Sequence, residues 1–124
     1  MDSAKLNAEL RRIVGDRAVV DDAAALMTYE ADGCVMDLHA PNLVVLPNTT
    51  EQVAAVVQLA LRAGVPIVPR GAGTGLAGGA TPMQGGIVIA TTRMDKVLEV
   101  DTRNRRARVQ PSVINWELSQ HLAP

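Results

Sequence analysis

The sequence predicts an α/β (α+β) fold: N-terminal helices, then a βαβ unit with a glycine-rich loop, and a β-hairpin. Three observations carry that prediction. Apolar residues recur at helical spacing over residues 3–14 and again from Val53 to Leu61. Short β-branched runs bounded by proline or glycine occur at Leu43–Leu46, Val65–Val68 and Gly86–Ala90. Seven of the ten glycines fall between Gly71 and Gly86, directly after the second of those runs.

Taken in order, Ser3 is placed to cap the first helix, Leu6, Leu10, Ile13 and Val14 form its apolar face, and Gly15 ends it. A second helix is expected from Asp22 to about Ala31, capped by Asp21 or Asp22, followed by an irregular stretch from Gly33 to Pro41. Residues 1–40 therefore read as an N-terminal helical appendage. Leu43–Leu46 lies between Pro41 and Pro47 and reads as a buried strand. Thr49 and Gln52 have the spacing of a capping box, with Val53, Val56, Val57, Ala60 and Leu61 on one helical face and Gly64 as the stop. Val65–Val68 closes a βαβ unit with parallel strands. Gly86–Ala90 is a third strand. Val97–Asp101 and Arg106–Gln110 alternate apolar and polar residues and predict an antiparallel hairpin with one solvated face. Residues 113–122 read as a closing helix.

Composition narrows the function classes. A chain of 124 residues that is 48% hydrophobic and 20% charged is globular in character. Its net charge of −1 offers no general attraction to nucleic acid or anionic lipid. Tyr29 and Trp116 are the only aromatic residues, so a stacking platform for single-stranded nucleic acid is excluded. No apolar run approaches 18 residues, so no transmembrane segment is expected. The start of the chain lacks the pattern of a signal peptide, and its single cysteine, Cys34, forms no internal disulfide; a cytoplasmic location is the expectation.

The glycine cluster bears most directly on function. Glycine loses more conformational entropy on folding than any other residue, so a cluster in a loop has a geometric reason. A loop with few β-carbons can turn successive N–H groups toward one point and bind an anion, phosphate above all. It follows a strand and so lies at the carboxyl edge of the sheet, where open α/β sheets bind ligands. The P-loop pattern is absent, because the next lysine is Lys96. Gly73, Gly75 and Gly78 match the spacing of the dinucleotide fingerprint, with Asp95 about twenty residues on. That fingerprint needs its glycines to open a helix, and no helix runs through Gly79, Pro82, Gly85 and Gly86. Two readings stay open. One is a nest in which N–H groups from Gly71 through Gly75 converge on a diphosphate, with Thr74 adding a hydroxyl and Arg70 either a phosphate contact or a clamp on the loop. The other is a turn that only lets strands pass closely.

Pro69-Arg-Gly-Ala-Gly-Thr-Gly-Leu-Ala-Gly-Gly-Ala80 resembles the pyrophosphate loop of the vanillyl-alcohol-oxidase (PCMH-type) FAD-binding domains. Pro47–Val53, Gly85–Ile89, Arg93–Asp101 and Val109–Val113 resemble the flanking motifs of that family, nearest to its glycolate oxidase and D-lactate dehydrogenase members. The resemblance runs from about residue 5 to the end. It implies that residues 41–124 are the N-terminal part of such a domain and that Gly71, Ala72, Gly73, Thr74 and Gly75 wrap the FAD pyrophosphate, with Arg70, Gly78 and Gly79 at the same site. Thr74 stands where some relatives attach flavin covalently through histidine, so non-covalent FAD is expected. Ser112 stands where the family pattern has glycine, which places a β-carbon near that contact. The resemblance implies a small 2-hydroxy acid as substrate of a complete enzyme, with other oxidase subunits or self-association as further partners. It also implies a catalytically incomplete chain, since no position matches a catalytic residue. A non-redox nucleotide-binding module and an inactive truncated fragment are the rival expectations.

The remaining chemistry-bearing residues form no pattern. His39 and His121 lack partners for nucleophilic or metal chemistry, and Cys34 lacks a second cysteine. Arg103, Arg105, Arg106 and Arg108 read as the solvated face of the hairpin. Asp95, Glu99 and Asp101 make no acid–base pair, and Trp116 is expected in the core or at a partner contact.

Overall fold

Proline and glycine placement decides how the strands order themselves in this protein, whose computed structural model describes residues 2–122. Strand β1 (Val19–Val20), β2 (Leu43–Val45), β3 (Ile67–Arg70) and β4 (Ile87–Ala90) form one sheet in the order β1-β2-β4-β3. β2 and β3 both run parallel to β4, while β1 is antiparallel to β2. The two strands of the expected βαβ unit are thus not neighbours; β4 lies between them. Its four residues are all buried, which suits a strand flanked on both sides. β3 carries Pro69, whose missing N–H suits an edge.

Helix α1 (Ser3–Val14) begins one residue earlier than its cap predicted. Asp2 occupies the cap position, its carbonyl accepting from Leu6 N–H at 3.0 Å, and Ser3 is already helical. Gly15 ends the helix at φ +93°. The second helix is shorter than expected. Asp22 caps α2 (Ala23–Leu26) by accepting from Ala25 N–H at 3.0 Å, and a 3₁₀ turn over Met27–Tyr29 replaces the rest. Thr28 donates its hydroxyl to Ala25 O at 2.8 Å, a local bond that competes with helix continuation.

Helix α3 (Thr50–Ala63) follows its sequence signals closely. Thr49 Oγ1 accepts from Gln52 N–H at 3.2 Å, and Gln52 Oε1 accepts in return from Asn48 N–H, one residue before the cap, at 2.7 Å. Gly64 adopts φ +66°, and the Gly64 and Val65 N–H groups donate to Leu61 O and Ala60 O at 3.2 and 3.0 Å, a Schellman closure. That bond takes Val65 out of the strand, which starts at Ile67. The buried face is Val56, Leu59 and Ala60; Leu61, expected on it, is 72% exposed because it lies about 100° around the helix from Ala60.

Alternate strand residues feed two apolar layers. Leu43, Val45, Ile87 and Ile89 pack with Leu6, Leu10 and Val14 of α1 and with Val56, Leu59 and Ala60 of α3. Val44, Val88 and Ala90 pack with Leu26, Tyr29 and Val68 on the opposite face. Residues 3–29 therefore supply a strand and part of both layers.

Strands β5 (Val97–Asp101) and β6 (Arg106–Val109) form a separate antiparallel hairpin, with a register shift between Val97 and Glu99. Asp101 organises the turn by accepting from Asn104 N–H and Nδ2 at 3.0 and 2.6 Å. β6 is exposed along its whole length rather than on one face. Helix α4 (Asn115–Leu122) follows, with Trp116 70% exposed and so not a core residue.

Candidate functional site

The glycine loop is the connection from the carboxyl end of β3 to the start of β4. Because those strands are parallel, the chain must travel back the length of the sheet between Arg70 and Ile87, and it does so without a helix. Its two ends are fixed. Arg70 O accepts from Thr91 N–H at 2.8 Å and from the Thr91 hydroxyl at 3.3 Å. At the other end Gly86 sits at φ +81°, with the position of a β-carbon filled by the backbone of Pro66, so only glycine passes there.

Between those ends the loop borders an open hollow of about 320 Å³, lined by Gly71 to Gly75, Ala77, Gly79, Ala80 and the carboxylate-bearing Asp32. Among the described residues, the backbone N–H groups from Gly71 to Gly79 donate to no protein acceptor. At Gly71 and Gly79 a β-carbon would meet no protein atom within 4 Å, and neither has a positive φ. Nothing in the chain itself demands glycine at those two positions, whereas an anion approaching the backbone closely would.

The candidate residues do not all fall together. Gly71, Ala72, Gly73, Thr74, Gly75 and Gly79 share the hollow, while Gly78 lines a neighbouring one with Cys34, Asp37 and Met83. Of the two roles open for Arg70, the clamp is filled by one nitrogen of its guanidinium. Its Nη1 donates to Ala31 O at 2.6 Å, and its guanidinium lies 5.4 Å from the centroid of the Tyr29 ring. Gly73, at φ +74°, passes over that guanidinium where a β-carbon would collide with it. The hollow is therefore lined by no basic side chain.

Ser112 has its β-carbon accommodated. Its hydroxyl pairs with that of Thr91 at 2.8 Å and its N–H donates to Met94 O at 3.0 Å, which ties the segment after the hairpin to the foot of the glycine loop. Its φ is not in the left-handed region.

Asp32 was missed by the sequence reading. It is 8% exposed; Oδ1 accepts from Cys34 N–H at 2.8 Å and Oδ2 from Ala80 N–H at 3.3 Å. The Cys34 N–H, then the Ala80 N–H and the charge of Arg70, hold its carboxyl below the usual aspartate range against the opposing effect of burial. The available signal was the Asp32-Gly33 pair, since aspartate bonding the N–H two residues on makes an Asx-turn.

The other candidates stay apart from this site. Arg108 pairs with Glu99 at 3.3 Å on the exposed hairpin, and His121 is exposed on α4. Among the described residues there is no group of three His, Cys, Asp or Glu placed to hold a metal ion. No helix among them is long and apolar enough to cross a membrane.

Comparison with known proteins shows the family and the fold. Residues 41–124 match the family described as FAD binding domain. The chain is 42% identical over 115 residues to the glycolate oxidase subunit GlcD of Escherichia coli, covering 93% of this chain and 23% of that protein. It is 30% identical over 112 residues to a probable mitochondrial D-lactate dehydrogenase of Danio rerio, covering 90% of this chain and 22% of that protein. The substrate-bound structure of p-cresol methylhydroxylase superposes with a TM-score of 0.83 at 24% identity, over 96% of this chain and 24% of that one, and shares the fold. The chain thus spans about a quarter of the length of the proteins it matches.

Proposed function

The chain belongs to the FAD binding domain family, and from that membership we propose that it is the FAD-holding portion of a flavin-dependent oxidoreductase acting on a small 2-hydroxy acid of the glycolate or D-lactate type. In this reading residues 41–124 are the first part of the FAD-binding domain and residues 1–40 an N-terminal appendage whose β1 joins its sheet. The observation that best supports a diphosphate site is the run of N–H groups from Gly71 to Gly75 that donate to no protein acceptor, on residues that line a hollow without basic side chains. Backbone amides and the Thr74 hydroxyl, with no lysine, then meet the two phosphate charges. Hydrogen bonds to charged acceptors contribute about 1.5–3 kcal/mol each, so three or four hold a large cofactor without a lysine.

Bound FAD supplies the two-electron acceptor for oxidation of the substrate's α-carbon; the protein supplies binding and orientation. Gly71 and Gly79 leave the backbone bare where the anion approaches. Thr74 offers a hydroxyl donor and no nucleophilic nitrogen, which favours non-covalent binding. The substrate class rests on the names of the relatives, a glycolate oxidase subunit and a D-lactate dehydrogenase. The self-association or partner subunits of a complete enzyme belong to the same proposal.

Adding FAD to the purified chain is expected to quench flavin fluorescence and raise the melting temperature. No quenching and no shift would remove the flavin reading, and ADP binding as tightly as FAD would favour a plain nucleotide module. Turnover of glycolate or D-lactate with an artificial acceptor is expected to be absent from these residues alone; its presence would overturn the view that catalysis needs more of the enzyme.

A further inference from the structure

We propose that Asp32 is a positioning residue for the diphosphate site: together with Ala31 and Gly33 it seats the glycine loop at three points and shapes the hollow before any anion arrives. The inference rests on the reading of that hollow as the FAD diphosphate site. At the start of the loop, Arg70 Nη1 donates to Ala31 O at 2.6 Å. At its middle, the carbonyl oxygens of Gly75 and Thr74 face Gly33, 2.8 and 3.1 Å from where a β-carbon on that residue would sit. At its end, Ala80 N–H donates to Asp32 Oδ2 at 3.3 Å. The carboxylate is itself held by Cys34 N–H on Oδ1 at 2.8 Å.

This seat has a direct effect on which donors a ligand meets. In a trans peptide the C=O and N–H point in opposite directions. Carbonyls of Thr74 and Gly75 turned toward Gly33 therefore aim the N–H groups of Gly75 and Leu76 away from it. Ala80 N–H is consumed by Asp32 and is withdrawn from the anion. A carboxylate beside a diphosphate also repels it, so positioning and repulsion act in opposite directions. Both oxygens of Asp32 already accept a hydrogen bond and Arg70 lies close by, which lowers the repulsion. Positioning wins.

The first measurement needs no variant and no ligand. In amide NMR spectra of the wild-type chain taken from pH 6 downward, Ala80 and Cys34 are expected to move together with one midpoint below the ordinary aspartate range. Arg70 is the charged group acting on Asp32, and Asp37 lines the neighbouring hollow. An Ala80 amide that does not follow Cys34 would overturn the seat.

The second measurement is FAD titration by fluorescence with Asp32→Asn and Asp32→Ala. Asparagine keeps the size but presents a donor to one of the two N–H groups. Both variants are expected to bind FAD at least tenfold more weakly, while the β4 amides Ile87–Ala90 keep their wild-type shifts. Equal or tighter FAD binding would mean that repulsion dominates and would overturn the proposal. So would shift changes spreading through β4, which would mark Asp32 as part of the general scaffold. If the wild-type chain binds no FAD, the diphosphate reading fails, and the amide titration still decides the seat.

Discussion

Gly33→Ala is the smallest change that reaches the glycine loop from outside it. Gly33 lies eight residues before the matched family segment, is exposed and has no positive φ, so alanine meets no backbone strain there. The added methyl group would sit 2.8 Å from Gly75 O, 3.0 Å from Leu76 Cδ2 and 3.1 Å from Thr74 O. Ordinary contact begins near 3.4 Å, so the middle of the loop must retreat by about 0.6 Å. Amide-to-phosphate bonds work near 2.7–2.9 Å and contribute about 1.5–3 kcal/mol each. Displacing two of them by that distance costs about 1–2 kcal/mol of binding, a loss of roughly 5- to 30-fold in FAD affinity. The fold itself changes little. The crowding is offset by the lower unfolded-state entropy of alanine, worth about 0.4–1 kcal/mol. Fluorescence titration with FAD, run beside thermal melting, separates the two effects. An affinity within about twofold of wild type would refute the claim that the close approach of Gly33 sets the loop.

Three further outcomes follow from the same structure. Gly86→Ala combines a φ of +81° with a collision against the Pro66 backbone, and urea unfolding is expected to show a loss of about 2–5 kcal/mol; a loss below about 1 kcal/mol would show that β4 can shift. Leu10→Ala removes a fully buried side chain from the layer shared by α1, α3 and the sheet, at a cost of about 2–5 kcal/mol. Because that layer is shared by α1, α3 and the sheet, unfolding should remain one transition by circular dichroism and by the amide signals of α1 and β4; two transitions would refute a shared core. Asp21 is held below its ordinary value of 3.8 first by Asn7 and then by Arg11, and Asp32 and Asp101 are lowered as well. A carboxyl depressed in the folded state stabilises above its unfolded pKa and loses that effect as pH falls through its folded value. The urea midpoint should therefore hold from pH 7 to about 5 and drop below about 4, less steeply in Asp21→Asn; a midpoint that rises on acidification would contradict the assignment.

Local chemistry was readable where one residue type has one reason to be present. Thr49 and Gln52 announced the start of α3, and Gly64 its Schellman end. The glycine loop was placed correctly at the end of a strand, since β-branched residues stop where glycine begins. Pairing was not readable. β2 and β3 are joined by one helix, and only the burial of Ile87–Ala90 and the missing N–H of Pro69 in the folded chain set β4 between them. β1 was not foreseen either, because two residues are too few for a period. At the site, Arg70 left two roles open because a guanidinium serves a phosphate or a carbonyl equally well. Asp32 carried no long-range signal, since its partner Ala80 is 48 residues away.

The helix-free return from Arg70 to Ile87 links occupancy to folding. β4 can join β3 only when residues 71–86 have closed on themselves, and that closure orders a segment rich in the residue with most entropy to lose. A ligand held by Gly71 to Gly75 binds a conformation that exists only when both ends of the return are in place. Its binding energy therefore adds to the stability of the central strand by mass action, about 2.7 kcal/mol at a hundredfold excess over Kd. The cofactor would then act after β4 has docked, and the strand would be released more slowly as cofactor concentration rises.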